Sequence, residues 1–245
     1  MTSVIIPARY ASTRFPGKPL HLIAGKPLIQ HVWERCQRCR NVGSIVVATD
    51  HERIADAARG FGAEVCMTSP DHQSGTDRIA EAARALPQAT HVINVQGDEP
   101  LISPALVDEL AARMAADPEI GMITAVHALH DPALLDNPNI VKCVMTRDGR
   151  ALYFSRSRIP HPRSTHPGLT HWRHMGIYGF SRAFLEQFVR WEPSPLEVTE
   201  ALEQLRALEN GAPIHVVVTD HDSPGIDTPA QARELEALIT SRLRH

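Results

Sequence analysis

The sequence predicts one α/β domain: a mainly parallel sheet covered by helices, with an inserted β-rich arm at about residues 130–175. Two observations carry this. Short runs that are apolar throughout alternate with helical patterns, which is how parallel strands buried on both faces read. The rhythm then changes after residue 130, where Asp148-Gly149 stands between two strand-like runs and signals a hairpin.

In chain order, strands are expected at 3–8, 44–50, 63–68, 91–96 and 122–128, and helices at 27–38, 51–61, 75–86 and 104–116. The arm supplies strands at 140–146 and 151–155. It continues through a Pro-, His- and Ser-rich excursion at 159–171 and returns by a strand at 172–180. Arms of this kind often serve subunit contacts, so a homodimer is expected. Helices follow at 182–189 and 196–210, the second ended by Gly211, then a strand at 214–219 and a final helix at 229–244. There are no internal repeats and no linker, so the whole chain, 1–245, reads as one unit.

The balance of 43% hydrophobic and 22% charged residues is that of a chain able to bury a full core. No apolar run approaches the ~18–20 residues of a membrane span. No basic segment precedes a long apolar stretch at the N-terminus, so a cytoplasmic protein without membrane attachment is expected. Cys36 and Cys39 have the spacing of a redox or zinc half-site, but they fall in a predicted helix and no second pair follows, which favours a structural role.

The net charge of −3 means that an anionic ligand must be drawn by local charge. The chain supplies it: the first acidic residue is Glu34, and Arg9, Arg14, Lys18 and Lys26 precede it. So compact a basic segment suits a phosphate site better than a nucleic-acid surface. In a parallel sheet ligands bind beyond the carboxyl ends of the strands. That rule selects the loops after Ala8, Asp50, Gln96 and Thr219. The first is Pro7-Ala-Arg-Tyr-Ala-Ser-Thr-Arg-Phe-Pro-Gly-Lys-Pro-Leu20. It lacks the P-loop pattern, yet it offers two guanidinium forks and an ammonium where a triphosphate and a leaving pyrophosphate need them.

This loop resembles the Pro-Ala-Arg-x-x-Ser-x-Arg-x-x-x-Lys-x-Leu signature of the CMP-sugar synthetases. Further segments fit the branch of that family that activates 3-deoxy-D-manno-octulosonate (Kdo). They are Ser74-Gly-Thr-Asp-Arg78, Val95-Gln-Gly-Asp-Glu-Pro100, Tyr153-Phe-Ser-Arg-Ser157, His174-Met-Gly-Ile-Tyr-Gly-Phe180, Leu202-Glu-Gln-Leu-Arg206 and Gly225-Ile-Asp-Thr-Pro229. The resemblance covers nearly the whole chain. It departs at Arg158, His161, Phe180, Ser181 and Thr199, outside the first loop and the two carboxylates discussed next.

The resemblance implies a Rossmann-like nucleotidyltransferase domain that makes CMP-Kdo and pyrophosphate from CTP and Kdo for lipopolysaccharide synthesis. It implies Mg²⁺ as cofactor, held by Asp98 and Asp227. The residues agree with that chemistry. Two carboxylates with phosphate oxygens and water suit octahedral Mg²⁺. Gly97 lets the backbone beside Asp98 approach a ligand, and Glu99 is the alternative ligand there. Thr228-Pro-Ala-Gln231 is a capping box for the last helix, which leaves Asp227 free of that job.

The nucleotide would then meet Pro7, Ala8, Arg9, Ser12, Arg14, Lys18, Ser74, Gly75 and Gln96. Arg14 and Lys18 would join the two aspartates in catalysis. The sugar would meet Arg78, Gln96, His174, Tyr178, Glu203 and Gln204, with Arg78 facing its carboxylate. Glu200, Glu203 and Gln204 are spaced to share one face of the predicted 196–210 helix. Other readings remain open on these residues: a cytidylyltransferase for 8-amino-Kdo or a sialic acid, or a nucleotide-binding regulator without catalysis. A glycosyltransferase would want an Asp-x-Asp motif after a central strand, whereas Asp220-His-Asp222 follows a late one.

Overall fold

A computed structural model of the chain describes residues 1–11, 15–164, 168–223, 225–226 and 228–242. The first half contains strands β1 (Thr2–Ala8), β2 (Leu22–Ile23) and β3 (Lys26–Pro27), helix α1 (Leu28–Cys36), β4 (Ser44–Thr49) and α2 (Glu52–Gly60). It continues with β5 (Glu64–Met67), α3 (Gly75–Arg84), β6 (His91–Asn94), α4 (Pro104–Ala116) and β7 (Met122–Leu129). The arm is β8 (Lys142–Met145) and β9 (Ala151–Ser155), and β10 (His171–Ser181) returns from it. Then come α5 (Arg182–Phe188), α6 (Pro195–Glu200), α7 (Leu205–Glu209), β11 (Ile214–Thr219) and α8 (Pro229–Arg242).

One sheet runs in the order β11-β7-β10-β6-β1-β4-β5. β1 pairs parallel with both β4 and β6, so the order of the strands reverses about it. β10 lies antiparallel between β6 and β7, and β11 runs parallel to β7. The arm is a side branch: β8 pairs with β9 and with the start of β10. Its turn contains Gly149 at φ 80°, the conformation that the Asp-Gly signal demanded.

Both faces of β1 are buried, which explains its unbroken apolar run. Val4 and Ile6 pack with Ile29, Val32, Leu106 and Leu110 on one side. Ile5 packs with Ile79, Phe154, Phe180 and Leu205 on the other. A smaller cluster of Phe15, Ile23, Leu28, Ile226, Ala232 and Leu235 holds α8 against the loop that follows β1. Cys36 is wholly buried, and burial pushes its thiol up, as a structural cysteine requires. Among the described residues no helix is long and apolar enough to cross a membrane.

One expectation needs correction, and one element is additional. The 196–210 helix is broken: α6 ends at Ala201, which adopts φ 50° and ψ 52°, and α7 begins at Leu205. Glu200, Glu203 and Gln204 therefore do not share a helical face. Glu200 instead turns to β9, accepting from Ser155 Oγ at 2.6 Å and from the Arg156 N–H at 3.0 Å. The small hairpin β2–β3, turning at Ala24 and Gly25 with positive φ at both, was absent from the sequence reading.

Candidate active site

A cleft of about 320 Å³ opens beyond the carboxyl ends of β1 and β6, at the point where strand order reverses. This is where an open α/β sheet receives its ligand. Pro7, Ala8, Arg9, Lys18, Ser74, Gly75, Arg78, Gln96 and Asp98 all line it. Three separated stretches of sequence thus meet in one concavity. Ser12, Arg14 and Asp227 lie outside the described residues.

The first loop is closed at its neck. The Gly17 N–H donates to Tyr10 O at 3.1 Å, and Gly17 takes φ 69°, which favours glycine. Tyr10 is stacked on His51 at 4.2 Å between ring centres, and Arg53 donates to its hydroxyl. The loop therefore leaves and re-enters beside the N-terminus of α2. Lys18 opens the short turn that follows, and its ammonium meets Asp98 Oδ2 at 2.5 Å. A cation from the first loop and the carboxylate after β6 thus share the floor of the cleft.

Gly97 explains how Asp98 gets there. A Cβ on Gly97 would stand 2.8 Å from Pro7 O, so only glycine lets the β6 loop lie against the end of β1. Its closest neighbour is thus the protein's own backbone rather than a ligand. Glu99, the alternative carboxylate, is not part of the lining. It is buried against β10, with Oε1 where a Cβ on Gly176 would be 2.9 Å away. Burial, with the Asp98 charge adding to it, pushes the Glu99 carboxyl up to about 8. The Ile226 N–H donates to Asp98 O at 2.8 Å, which ties the segment before α8 to the same loop.

Ser74 is both cap and lining: its hydroxyl accepts from the Asp77 N–H at 3.1 Å while the N-terminus of α3 faces the cleft. Arg78 is buried. It donates to Asp50 Oδ2 at 3.1 Å and to Thr68 Oγ1, so it reaches the cleft already paired. His72 and Gln73 line the cleft without having been expected there. Their signal was available: they immediately precede the cap of a helix, after the end of β5 that the strand-end rule had passed over.

The sugar candidates form a second polar zone. His174 and Tyr178 on β10 approach to 5.4 Å between ring centres, and His174 Nε2 lies 3.0 Å from Thr124 Oγ1. Glu203 accepts from Thr76 Oγ1 at 2.6 Å, directly after the Ser74-Gly75 wall of the cleft. Gln204 Nε2 and Asn94 Oδ1 are buried polar atoms without a hydrogen-bond partner. Orphaned groups of this kind cost stability unless a ligand satisfies them. Burial raises the Tyr178 phenol well above its usual range, with Glu203 and Glu99 adding to it.

Burial pushes the His174 imidazole down to about 3, with the Arg173 charge adding to it. It is therefore neutral at neutral pH. Its unfolded value is near 6.5, so the unfolded chain takes up a proton first as pH falls. The stability that neutral His174 contributes is full above pH ~6.5 and declines from there toward its folded value. Thermal melts from pH 7.5 to 5 are expected to show a shallower decline for His174→Gln than for the unsubstituted chain. Parallel slopes would contradict the neutral, buried assignment.

Donors matched to phosphate on one wall and a carboxylate on the other are what a nucleotidyltransferase needs to hold a nucleoside triphosphate, and the protein is an enzyme of that class. Within it, a family model described as cytidylyltransferase matches residues 3–216, and the chain belongs to that family. It is 50% identical to the 3-deoxy-manno-octulosonate cytidylyltransferase of Marinobacter nauticus, over 97% of this chain and 96% of that one. It is 51% identical to the enzyme of the same description from Geobacter sulfurreducens, over 93% and 94%. A solved CMP:2-keto-3-deoxy-manno-octonic acid synthetase complexed with CTP superposes with a TM-score of 0.94 at 41% identity, covering 98% of this chain and 99% of that one.

Proposed function

We propose that the protein transfers the CMP moiety of CTP to 3-deoxy-D-manno-octulosonate, releasing pyrophosphate, and so activates the sugar for lipopolysaccharide synthesis. The observation that carries this reading is the continuity of the two zones through the start of α3. Ser74 and Gly75 line the cleft and Thr76 bonds Glu203, so a nucleotide and a polyhydroxylated acid would lie side by side. The relatives' descriptions name the same sugar and a cytidylyl transfer.

In this reading Arg9, Ser12, Arg14 and Lys18 take the phosphates, while Pro7, Ala8, Ser74, Gly75 and Gln96 shape the nucleotide's seat. Kdo is rich in hydroxyls, and His174, Tyr178, Glu203 and Gln204 can donate to them or accept from them. Neutral His174 suits that task better than an imidazolium. Arg78 faces the sugar carboxylate from its place against Asp50, and Gln96 stands between the two substrates.

Asp98 fits a divalent cation: it is a half-exposed carboxylate on the floor of a phosphate-binding cleft. Among the described residues no three His, Cys, Asp or Glu side chains converge as a ready-made metal site. Mg²⁺ needs none, because it takes one or two carboxylates and completes its shell with phosphate oxygens and water. Asp98 and Asp227 would hold it, and once bound it would neutralise charge on the triphosphate. The protein's own cations do the rest. Lys18, freed from Asp98 by the incoming nucleotide, faces the charge that builds on the departing pyrophosphate. The cleft and the adjoining zone at Glu203 would bring the sugar beside the α-phosphorus, where positioning lowers the barrier.

The reading extends to a cytoplasmic enzyme of one domain, 1–245, working as a homodimer with the arm as a subunit contact. Pyrophosphate release with CTP and Mg²⁺ tests the reaction, scanned over Kdo, 8-amino-Kdo and N-acetylneuraminate. Release is expected with Kdo. Preference for either other sugar would move the assignment within the family, and release with none would overturn it.

A further inference from the structure

We infer that Arg156 is a positioning residue for the sugar half of the site: it fixes the left-handed turn at Ala201 and thereby the direction of Glu203 and Gln204. This rests on the assignment of those two residues to an acidic sugar. Arg156 stands at the end of β9 and its guanidinium is spent entirely on backbone carbonyls. Nε donates to Glu200 O at 2.6 Å, Nη2 to Ala201 O at 3.1 Å and Nη1 to Pro138 O at 2.9 Å. The first two are carbonyls at the C-terminal end of α6, where a helix leaves its acceptors unsatisfied. The Glu200 carboxylate returns the grip by accepting from Ser155 Oγ and the Arg156 N–H.

The grip is itself anchored. Lys142 is fully buried, and its ammonium donates to Asn137 O, Ile140 O and Arg156 O. The arm thus holds Arg156, and Arg156 holds the turn. Ala201 needs holding because a non-glycine residue at φ 50° is disfavoured against a continued helix. Two residues later Glu203 must reach Thr76 at the start of α3, and Gln204 must sit buried with Nε2 unpaired. A continued helix would carry both away.

A lysine cannot replace the fork, since one ammonium cannot span carbonyls from two segments in a fixed plane. R156K is therefore expected to raise KM for Kdo at least tenfold while KM for CTP stays within twofold. E200Q, which weakens only the return grip, is expected to raise the sugar KM by a smaller factor and serves in place of R156K if that variant folds poorly. Adding A201G to R156K is expected to restore part of the sugar KM, because glycine adopts the turn without being held. The sugar KM is read with whichever acidic sugar the unsubstituted enzyme turns over, so an error in the sugar assignment is seen separately. Unchanged sugar KM in both R156K and E200Q, equal rises for sugar and CTP, or no rescue by A201G would overturn the proposal.

Discussion

Asp98→Asn is expected to lower pyrophosphate release by about 10²–10³-fold or more, the range seen when one preorganised electrostatic group is removed from a transition state. The substitution keeps the shape of the side chain and removes its charge. It should leave the fold in place, because Asp98 is half-exposed and its ion pair with Lys18 adds little stability at such a site. No neighbour can take over. Glu99 is adjacent in sequence but buried against Gly176 of β10. Steady-state rates at saturating CTP and a range of Mg²⁺ concentrations check this. Near-normal turnover would remove Asp98 from catalysis and from the metal assignment together. Asp227→Asn is the companion variant, expected to behave alike.

Arg206→Ala is expected to cost about 3–5 kcal/mol of stability, the usual penalty for breaking a buried ion pair by removing one partner. The Arg206 and Glu197 side chains are 8% and 12% exposed and meet in a two-pronged contact at 2.8 and 2.6 Å. Arg206 also donates to Trp191 O and lies over the Phe188 ring at 5.0 Å. Its loss strands the Glu197 carboxylate inside the packing of α6 and α7. Equilibrium urea unfolding reads the change. Arg206→Met combined with Glu197→Met should be less damaging than Arg206→Ala, since no unpaired charge is left behind. A change below about 1 kcal/mol for Arg206→Ala would show that the pair is not a structural tie.

What the sequence disclosed, and what it withheld, divides along a physical line. Local chemistry was legible. The apolar run of β1, the Asp148-Gly149 hairpin and the Thr228–Gln231 capping box are all present, the last with reciprocal bonds at 3.0 and 3.3 Å. The convergence of Pro7–Arg9, Ser74-Gly75 and Gln96–Asp98 followed from a topological rule applied to strand ends. The break at Ala201 did not follow, because residues 196–210 contain neither glycine nor proline and alanine is the best helix former. Arg156 holds that break from the end of β9, far away in sequence. The direction of β10 was likewise hidden, since an apolar strand reads the same parallel or antiparallel. The two-residue strands of β2–β3 are too short for any periodicity to register.

The place of β10 in the sheet has a consequence for how the chain reaches its native state. Residues 171–181 form the strand that joins β6 to β7, so nothing synthesised before them can complete the middle of the sheet. A growing chain of 170 or fewer residues would carry β6 and β7 with open edges, free to pair with strands of other chains. Closure waits on a contact between segments far apart in sequence, which makes for slow folding. The strand that returns from the arm thus acts as the keystone. Truncations ending before it should aggregate, whereas those that retain it should begin to acquire a closed sheet.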